Sequence, residues 1–294
     1  MADLRLLIVY AHPDDESFGS GGLVARYVQE GVDVYYLCAT NGDLGTIPQE
    51  MNGQYANVAE LRLAELAAAS EILGFREVIT LGYRDSGMMG TEGNHHPDAL
   101  WHRYETQPEE VVRRVVEVIR RVQPQVILTF NQYGGYGHPD HIAIQRATLK
   151  AFHLAGDAAY ATGQPPYQPQ KLYYSSLPAL GLRLMGLLLR LRGHDLRRMG
   201  TNKDLDFQAV LDHLEPTHAR VNVGDYLDVW DAASACHKSQ GGGAGFGRGL
   251  PRWLRKWLLG YQQFTRVVPA PQRSAIDEYD LFTGVKPTPP RAPL

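Results

Sequence analysis

The feature that most constrains this chain is an alternation. Five short apolar runs, "LRLLIVY" (4–10), "VDVYYLCAT" (32–40), "EVITLGY" (77–83), "QVILTF" (125–130) and "KLYYSSLP" (171–178), recur between longer amphipathic stretches. Those stretches carry helix punctuation: 21–31 and 58–74 close on Gly, 108–124 opens on Pro and Glu, and a fourth helix is expected from about 142 to 153. Strand and helix in succession feed a parallel sheet, because a helical crossover returns the chain to the same end of the sheet. The expected fold class is α/β: a Rossmann-like, doubly wound, mostly parallel sheet with a smaller C-terminal α+β portion. In the order 3-2-1-4-5 the first and fourth strands are neighbours, and their carboxyl ends border the crevice where such folds bind ligands.

Residues 1–178 are read as the catalytic core, 179–285 as a portion completing the cleft within the same globular unit, and 286–294 as a Pro-rich tail. With 294 residues, 44% of them hydrophobic, the chain is long enough for a full core. The connections 41–57 and 84–107 are long for such units and read as functional loops. Beyond 178 we expect an apolar helix over 180–192, a second over 203–214, a strand over 219–224 and a helix through 226–240. The Gly-rich 241–249 and the following "RWLRKWLLGYQQF" read as a mobile lid.

A net charge of −3 supplies no broad positive field, so nucleic acid is not an expected partner. Cys38 and Cys236 lie far apart and suggest neither a disulfide framework nor a cysteine metal site, which fits a cytoplasmic location. The N-terminal apolar run is too short for a signal peptide. The stretch 177–193 is interrupted by Arg183, Arg190 and Arg192 and is too short to span a bilayer. It is expected to pack on the core, to form a homo-oligomer interface, or to rest on a membrane surface.

Two turns carry the chemistry. "AHPDDESFG" (11–19) puts one His and three carboxylates just after the first strand, and "GGYGHPDH" (134–141) repeats His-Pro-Asp after the fourth. If the two strands are neighbours, His12, Asp15 and His141 can share one divalent cation with positions left open, the pattern of a catalytic zinc site. The same donors suit iron(II) or another divalent ion. Such an ion would explain why so much negative charge is tolerated at a buried strand end. Asp14 is then free to act as general base towards a metal-bound water attacking an amide carbonyl. A cationic His138 would steady the oxyanion or protonate the leaving amine, with Tyr136 donating to the same oxygen.

The stretches "AHPDDE" and "HPDH" resemble the two motifs of the LmbE-like, or PIG-L, de-N-acetylase family. "LRLAEL" (61–66), "LGYRDSGM" (81–88), "CHKSQ" (236–240) and "FTRVVP" (264–269) are also similar to that family, and most similar to its branch acting on N-acylglucosaminyl inositols in mycothiol metabolism. The resemblance implies zinc held by His12, Asp15 and His141, Asp14 as base, His138 as acid or oxyanion stabiliser, and a small-molecule N-acetylglucosaminide as substrate. It also implies that Arg62, Asp85 and Tyr136 line the sugar site, and Ser17 of "SFGSGG" is placed with them. The residues alone also permit plainer roles, Arg62 as a surface helix residue and Asp85 as a turn former.

Other clusters are weaker. "GNHHPD" (93–98) has no preceding strand and reads as a solvated lid; "HLEPTH" (213–218) lacks the zincin spacing and reads as a helix end. "GSGG" (19–22) is no dinucleotide fingerprint. His237 is left outside the catalytic set, because a helix C-terminus favours a His on its own account. The expected function is a zinc-dependent hydrolase removing the N-acetyl group from a glucosamine-type sugar. The alternatives are an amidase for larger N-acyl conjugates and a non-catalytic sugar- or membrane-surface-binding protein.

Overall fold

The structure is a computed structural model that describes residues 4–51, 53, 55–200, 203, 205–242 and 249–286. In chain order its elements are β1 (Arg5–Tyr10), α1 (Asp15–Gln29), β2 (Asp33–Thr40), α2 (Val58–Leu73), β3 (Glu77–Tyr83), α3 (Leu100–Thr106), α4 (Pro108–Val122), β4 (Val126–Thr129), α5 (Gly134–Gly137) and α6 (Pro139–Leu154). There follow β5 (Lys171–Ser176), α7 (Ala179–Leu191), α8 (Phe207–Asp212), β6 (Ala219–Asn222), α9 (Leu227–Ser234), α10 (Arg252–Leu259) and β7 (Tyr261–Val268). One sheet holds all seven strands in the order β3-β2-β1-β4-β5-β7-β6. The first five are parallel, and β7 runs antiparallel to both β5 and β6.

The two central strands are buried along their whole length, as continuous Leu/Ile/Val runs require when helices cover both faces. The helix α4 shows how the sequence builds one cover. Pro108 occupies its first turn with Glu109 and Glu110, Arg120 and Arg121 its last, and Gln123 closes it in a left-handed conformation. Its seven buried aliphatic side chains, Val111 to Val122, each contribute about 1.5–3 kcal/mol of burial. A Val115→Asp change would set an unpaired charge in that layer.

What matters for function is the register of β1 against β4. Leu6 pairs with Val126 and Ile8 with Leu128, and the Thr129 hydroxyl donates to the Val9 carbonyl at 2.9 Å. Tyr10 and Phe130, just past that pairing, lie against each other with ring centres 4.5 Å apart and planes tilted by 31°. Both strands therefore end level, and the two His-Pro-Asp turns leave the sheet side by side.

The structure differs from the expectations at several boundaries. α1 starts at Asp15 and α6 at Pro139, earlier than apolar periodicity indicated, because Asp15, Glu16 and Asp140 suit the positive end of a helix and extend it backwards. The loop 84–107 contains a helix, α3. The helix expected over 203–214 shrinks to α8, and that over 226–240 ends at Ser234. "YQQFTRVV" is the half-buried strand β7 and no lid; it hydrogen-bonds between β5 and β6, which supply the partners that sequence could not name. Residues 243–248 of the Gly-rich segment and 287–294 of the tail lie outside the described residues.

Candidate active site

The first turn is held from several directions. The His12 carbonyl accepts the Tyr36 hydroxyl at 2.8 Å, the Pro13 carbonyl accepts Arg62 Nη2 at 2.7 Å, and Asp15 accepts the His12 amide at 2.7 Å. Between them Asp14 sits at φ 139°, ψ −27°, a region costing on the order of 1–3 kcal/mol for a residue with a side chain. Its amide is tied to Glu16 Oε2 at 3.0 Å. Asp14 occupies the N-cap position of α1 without capping it; its carboxylate reaches Arg62 Nη2 at 3.0 Å. The second turn is tighter. Gly134 has φ 66°, and a Cβ there would come within 2.7 Å of His141 Cβ, so glycine lets the chain pass close under that ring. His138 caps α6, its Nδ1 accepting the Asp140 amide at 3.2 Å.

The two turns meet over the strand ends. His12 Nδ1 lies 3.1 Å from His141 Nε2, and Asp15 lies 3.5 Å from each of these nitrogens through its two oxygens. The opposite ring nitrogens are committed elsewhere. His141 Nδ1 is 3.0 Å from the Gly134 carbonyl, an acceptor, so this nitrogen carries the hydrogen and Nε2 presents a lone pair. His12 Nε2 faces Asp140 at 3.3 Å and Asp85 at 3.6 Å. Asp140 is itself fixed by the Ser86 amide at 2.8 Å and the Ser86 hydroxyl at 2.5 Å.

Two electron-rich nitrogens and a carboxylate thus converge, and only a proton or a cation between them relieves the repulsion. An ion with bonds of about 2.0–2.2 Å at tetrahedral angles needs its donors roughly 3.3–3.6 Å apart, so the arrangement fits a divalent metal. Two further groups, both with His138 and neither with Asp15, overlap this one: His12 with His138 and His141, and His12 with Asp85, His138 and Asp140. In the second group both Asp140 oxygens are already taken by Ser86, which suits orienting His12 better than ligating.

A cleft of about 730 Å³ opens over this point, lined by His12, Asp14, Arg62, Asp85, Tyr136 and His138 among others. Burial pushes the Asp14 carboxyl up to about 7, although the Arg62 guanidinium opposes it. Burial would raise Asp85 and Asp15 too, but the neighbouring imidazoles hold both well below the usual carboxylate range. Burial, then the charge on His12, pushes His138 down to about 3. This direction favours a neutral His138 over the cationic ring expected from the sequence, and since its Nδ1 accepts the Asp140 amide, the neutral ring carries its hydrogen on Nε2. Burial keeps the Tyr136 phenol protonated, and its ring lies 5.0 Å from that of His141.

Arg62 is 3% exposed and spans the Pro13 and Gly42 carbonyls and Asp14, so it braces the first turn as well as lining the cleft. Asp85 accepts the Gly87 amide at 2.8 Å, the turn role, while also facing His12. Ser17 is not brought to the cleft: the early start of α1 turns it inward, fully buried, with its hydroxyl on Glu16 at 2.6 Å. In "GNHHPD", His95 is exposed, whereas Asn94 is buried and donates to the Ser86 carbonyl at 2.7 Å.

Sequence reasoning missed a support beneath the site. Glu16 and His237, both fully buried, meet at 2.6 Å, and the same Glu16 carboxylate holds the Asp14 amide. Burial disfavours a charged His237, yet the Glu16 carboxylate outweighs it and raises the ring above its ordinary value. Next to it the amide and hydroxyl of Ser239 bond Glu65 at 2.8 and 2.6 Å, and Gln240 reaches the cleft wall. The signal was the third acid of "HPDDE" together with "CHKSQ", polar groups in otherwise apolar surroundings that need partners when buried.

A family model described as "PIG-L: GlcNAc-PI de-N-acetylase" matches residues 7–152, the stretch that carries both turns. The 1D-myo-inositol 2-acetamido-2-deoxy-alpha-D-glucopyranoside deacetylase of Thermomonospora curvata is 36% identical over 247 residues, covering 81% of this chain and 81% of that protein. Its namesake from Geodermatophilus obscurus is 36% identical over 295 residues, covering 96% and 98%. Among solved structures, N,N'-diacetylchitobiose deacetylase from Pyrococcus horikoshii shares the fold with a TM-score of 0.60 at 18% identity, over 90% of this chain and 84% of that one. With near full-length relatives at this identity, the chain belongs to the PIG-L, or LmbE-like, de-N-acetylase family.

Proposed function

We propose that the cleft hydrolyses the acetamide of an N-acetylglucosaminyl inositol, giving acetate and a free amine, with His12 Nδ1, His141 Nε2 and Asp15 holding a divalent metal, zinc by the chemistry of the donors. The observation that carries this reading is the convergence of those donors within 3.5 Å, beside Asp14 in the cleft. Near-full-length relatives named for that deacetylation supply the substrate class. When bound, such an ion polarises the amide carbonyl and makes water more acidic.

The chain's own groups do the rest. The Asp14 carboxylate, kept basic by burial, accepts a proton from the attacking water and returns it to the leaving nitrogen as the C–N bond breaks. The Tyr136 hydroxyl and the His138 Nε2–H offer hydrogen bonds to the carbonyl oxygen as it gains charge. Asp140 holds His12 in the tautomer whose Nδ1 faces Asp15 and His141. Arg62 and Asp85 stand at the wall where sugar hydroxyls would lie.

The test is to incubate metal-reconstituted protein with N-acetylglucosaminyl inositol and follow acetate and primary amine together. Equal release of both is expected. Absence of acetate from a fully loaded protein would sink the reading, and preferential cleavage of longer N-acyl groups would select the amidase alternative.

A further inference from the structure

The helix α7 is apolar on two opposite sides. Leu182, Gly186 and Leu189 face the small core of Leu196, Phe207 and Val210. On the far side, Leu180, Leu184, Leu187 and Leu191 are 84%, 56%, 53% and 76% exposed. Their spacing of four, three and four residues draws one stripe along the helix, aimed away from the protein. No helix among the described residues is long and apolar enough to cross a membrane, so the stripe can lie on a surface but not span one.

The surroundings define the partner. From 179 to 198 the chain carries Arg183, Arg190, Arg192, Arg197 and Arg198 against the single acid Asp195, although the whole protein is net negative. Pairing two such stripes about a twofold axis would set arginines against arginines, which disfavours a second copy of this chain. Leucines flanked by arginines instead match a bilayer with anionic headgroups. A second element agrees. On α10, Trp253 and Trp257, one helical turn apart, are 71% and 73% exposed, the habit of residues that sit at a membrane interface. The cations of α10 are each paired with Asp225, Asp228 or Asp231, so α10 offers aromatic anchors and the α7 segment the charge.

Position completes the case. α7 leaves the sheet just after Ser176 of β5, and α10 ends just before Tyr261 of β7; because Ser176 pairs with Gln263, both helices stand at the end of the sheet that carries the cleft. The core beneath α7 also packs on Tyr133, immediately before the α5 turn that carries Tyr136. We infer that the end of the sheet that carries this cleft docks on an anionic lipid surface, through the leucine stripe of α7 with the exposed tryptophans of α10. This goes beyond the hydrolytic reading and does not depend on it.

The test uses the full chain and vesicles of phosphatidylcholine with or without phosphatidylglycerol. Wild-type protein is expected to sediment with the anionic vesicles, with a blue shift in tryptophan emission and binding that weakens as salt rises. Leu184→Glu/Leu187→Glu should cut that partition at least ~tenfold, and Trp253→Ala/Trp257→Ala should remove most of the blue shift. These side chains are exposed and outside the cleft lining, so thermal unfolding and turnover of a soluble substrate should stay as in wild type. Three results overturn the inference: wild-type protein left in the supernatant, equal binding by the leucine variant, or a concentration-dependent dimer that this variant abolishes.

Discussion

The two His-Pro-Asp turns have the same three letters and opposite wiring. In the first, helix α1 begins two residues after Pro13, so His12 and Asp15 face the proposed metal position and Asp14 is left strained at the cleft. In the second, α6 begins at Pro139 itself, so His138 becomes a cap, Asp140 turns inward to hold His12, and the following His141 faces the proposed metal position. A shift of two residues in helix onset reassigns every side chain, because each step along a helix rotates a side chain by about 100°. The lesson is that a motif's chemistry is set by where its helix starts.

The comparison breaks most easily at its two aspartates. Asp14→Asn should lower turnover by about 10²–10⁴-fold with metal content unchanged, measured by acetate release beside elemental analysis. Loss of metal in that variant would make Asp14 a ligand instead of the base. The next effect concerns how the turns are braced. The first leans on Glu16 and His237 from the C-terminal portion, so His237→Ala, which leaves a buried carboxylate without its partner, should cost about 3–5 kcal/mol in denaturant unfolding. Stability within ~0.5 kcal/mol of wild type would show that the clamp is idle.

Asp140→Asn should behave unlike Asp14→Asn. Metal affinity should fall about 10–100-fold while excess metal restores turnover, because His12 loses its orienting carboxylate and not its lone pair. A variant that keeps its metal and stays dead would make Asp140 a reacting group. The smallest effect separates the two metal-facing histidines. Burial opposes a charge on His12, but Asp85, Asp140 and Asp15 outweigh it and raise that ring well above 6.5, whereas burial pushes His141 down to about 4. At neutral pH these directions make His12 the charged ring of the metal-free site, with hydrogens on both nitrogens, and leave His141 neutral with its one hydrogen on Nδ1. Since a ligand must be deprotonated, metal uptake should release about one proton from this pair, and apparent affinity should climb up to ~tenfold per pH unit until His12 is neutral. Calorimetry in buffers of different ionisation enthalpy reads this directly; zero release would mean that both rings are already neutral.

Much of this was legible from residues alone. Five continuous apolar runs separated by capped helices led to the five parallel strands, since both faces of such a sheet are buried and the pattern repeats locally, and their order was carried over from the doubly wound fold class. The meeting of His12 and His141 followed from β1 and β4 being neighbours. Three features were hidden. Strand β7 looked like part of a lid because its partners, β5 and β6, come from other parts of the chain. Ser17 looked available because the α1 start was placed too late. Glu16 and His237 lie 221 residues apart, and no local pattern announces a buried pair formed across that separation.

By itself the sequence determined the α/β class, the first five strands and the donor types at the carboxyl ends of β1 and β4. Hydrophobic periodicity, caps and turn residues act over a few positions, and a linear reading captures them. The tertiary structure alone decided which atom of each motif residue faces the cleft, which histidine stays neutral and which carboxylates serve as struts. Those properties depend on burial and on partners brought from far along the chain, and neither exists until the sheet has closed over its helices.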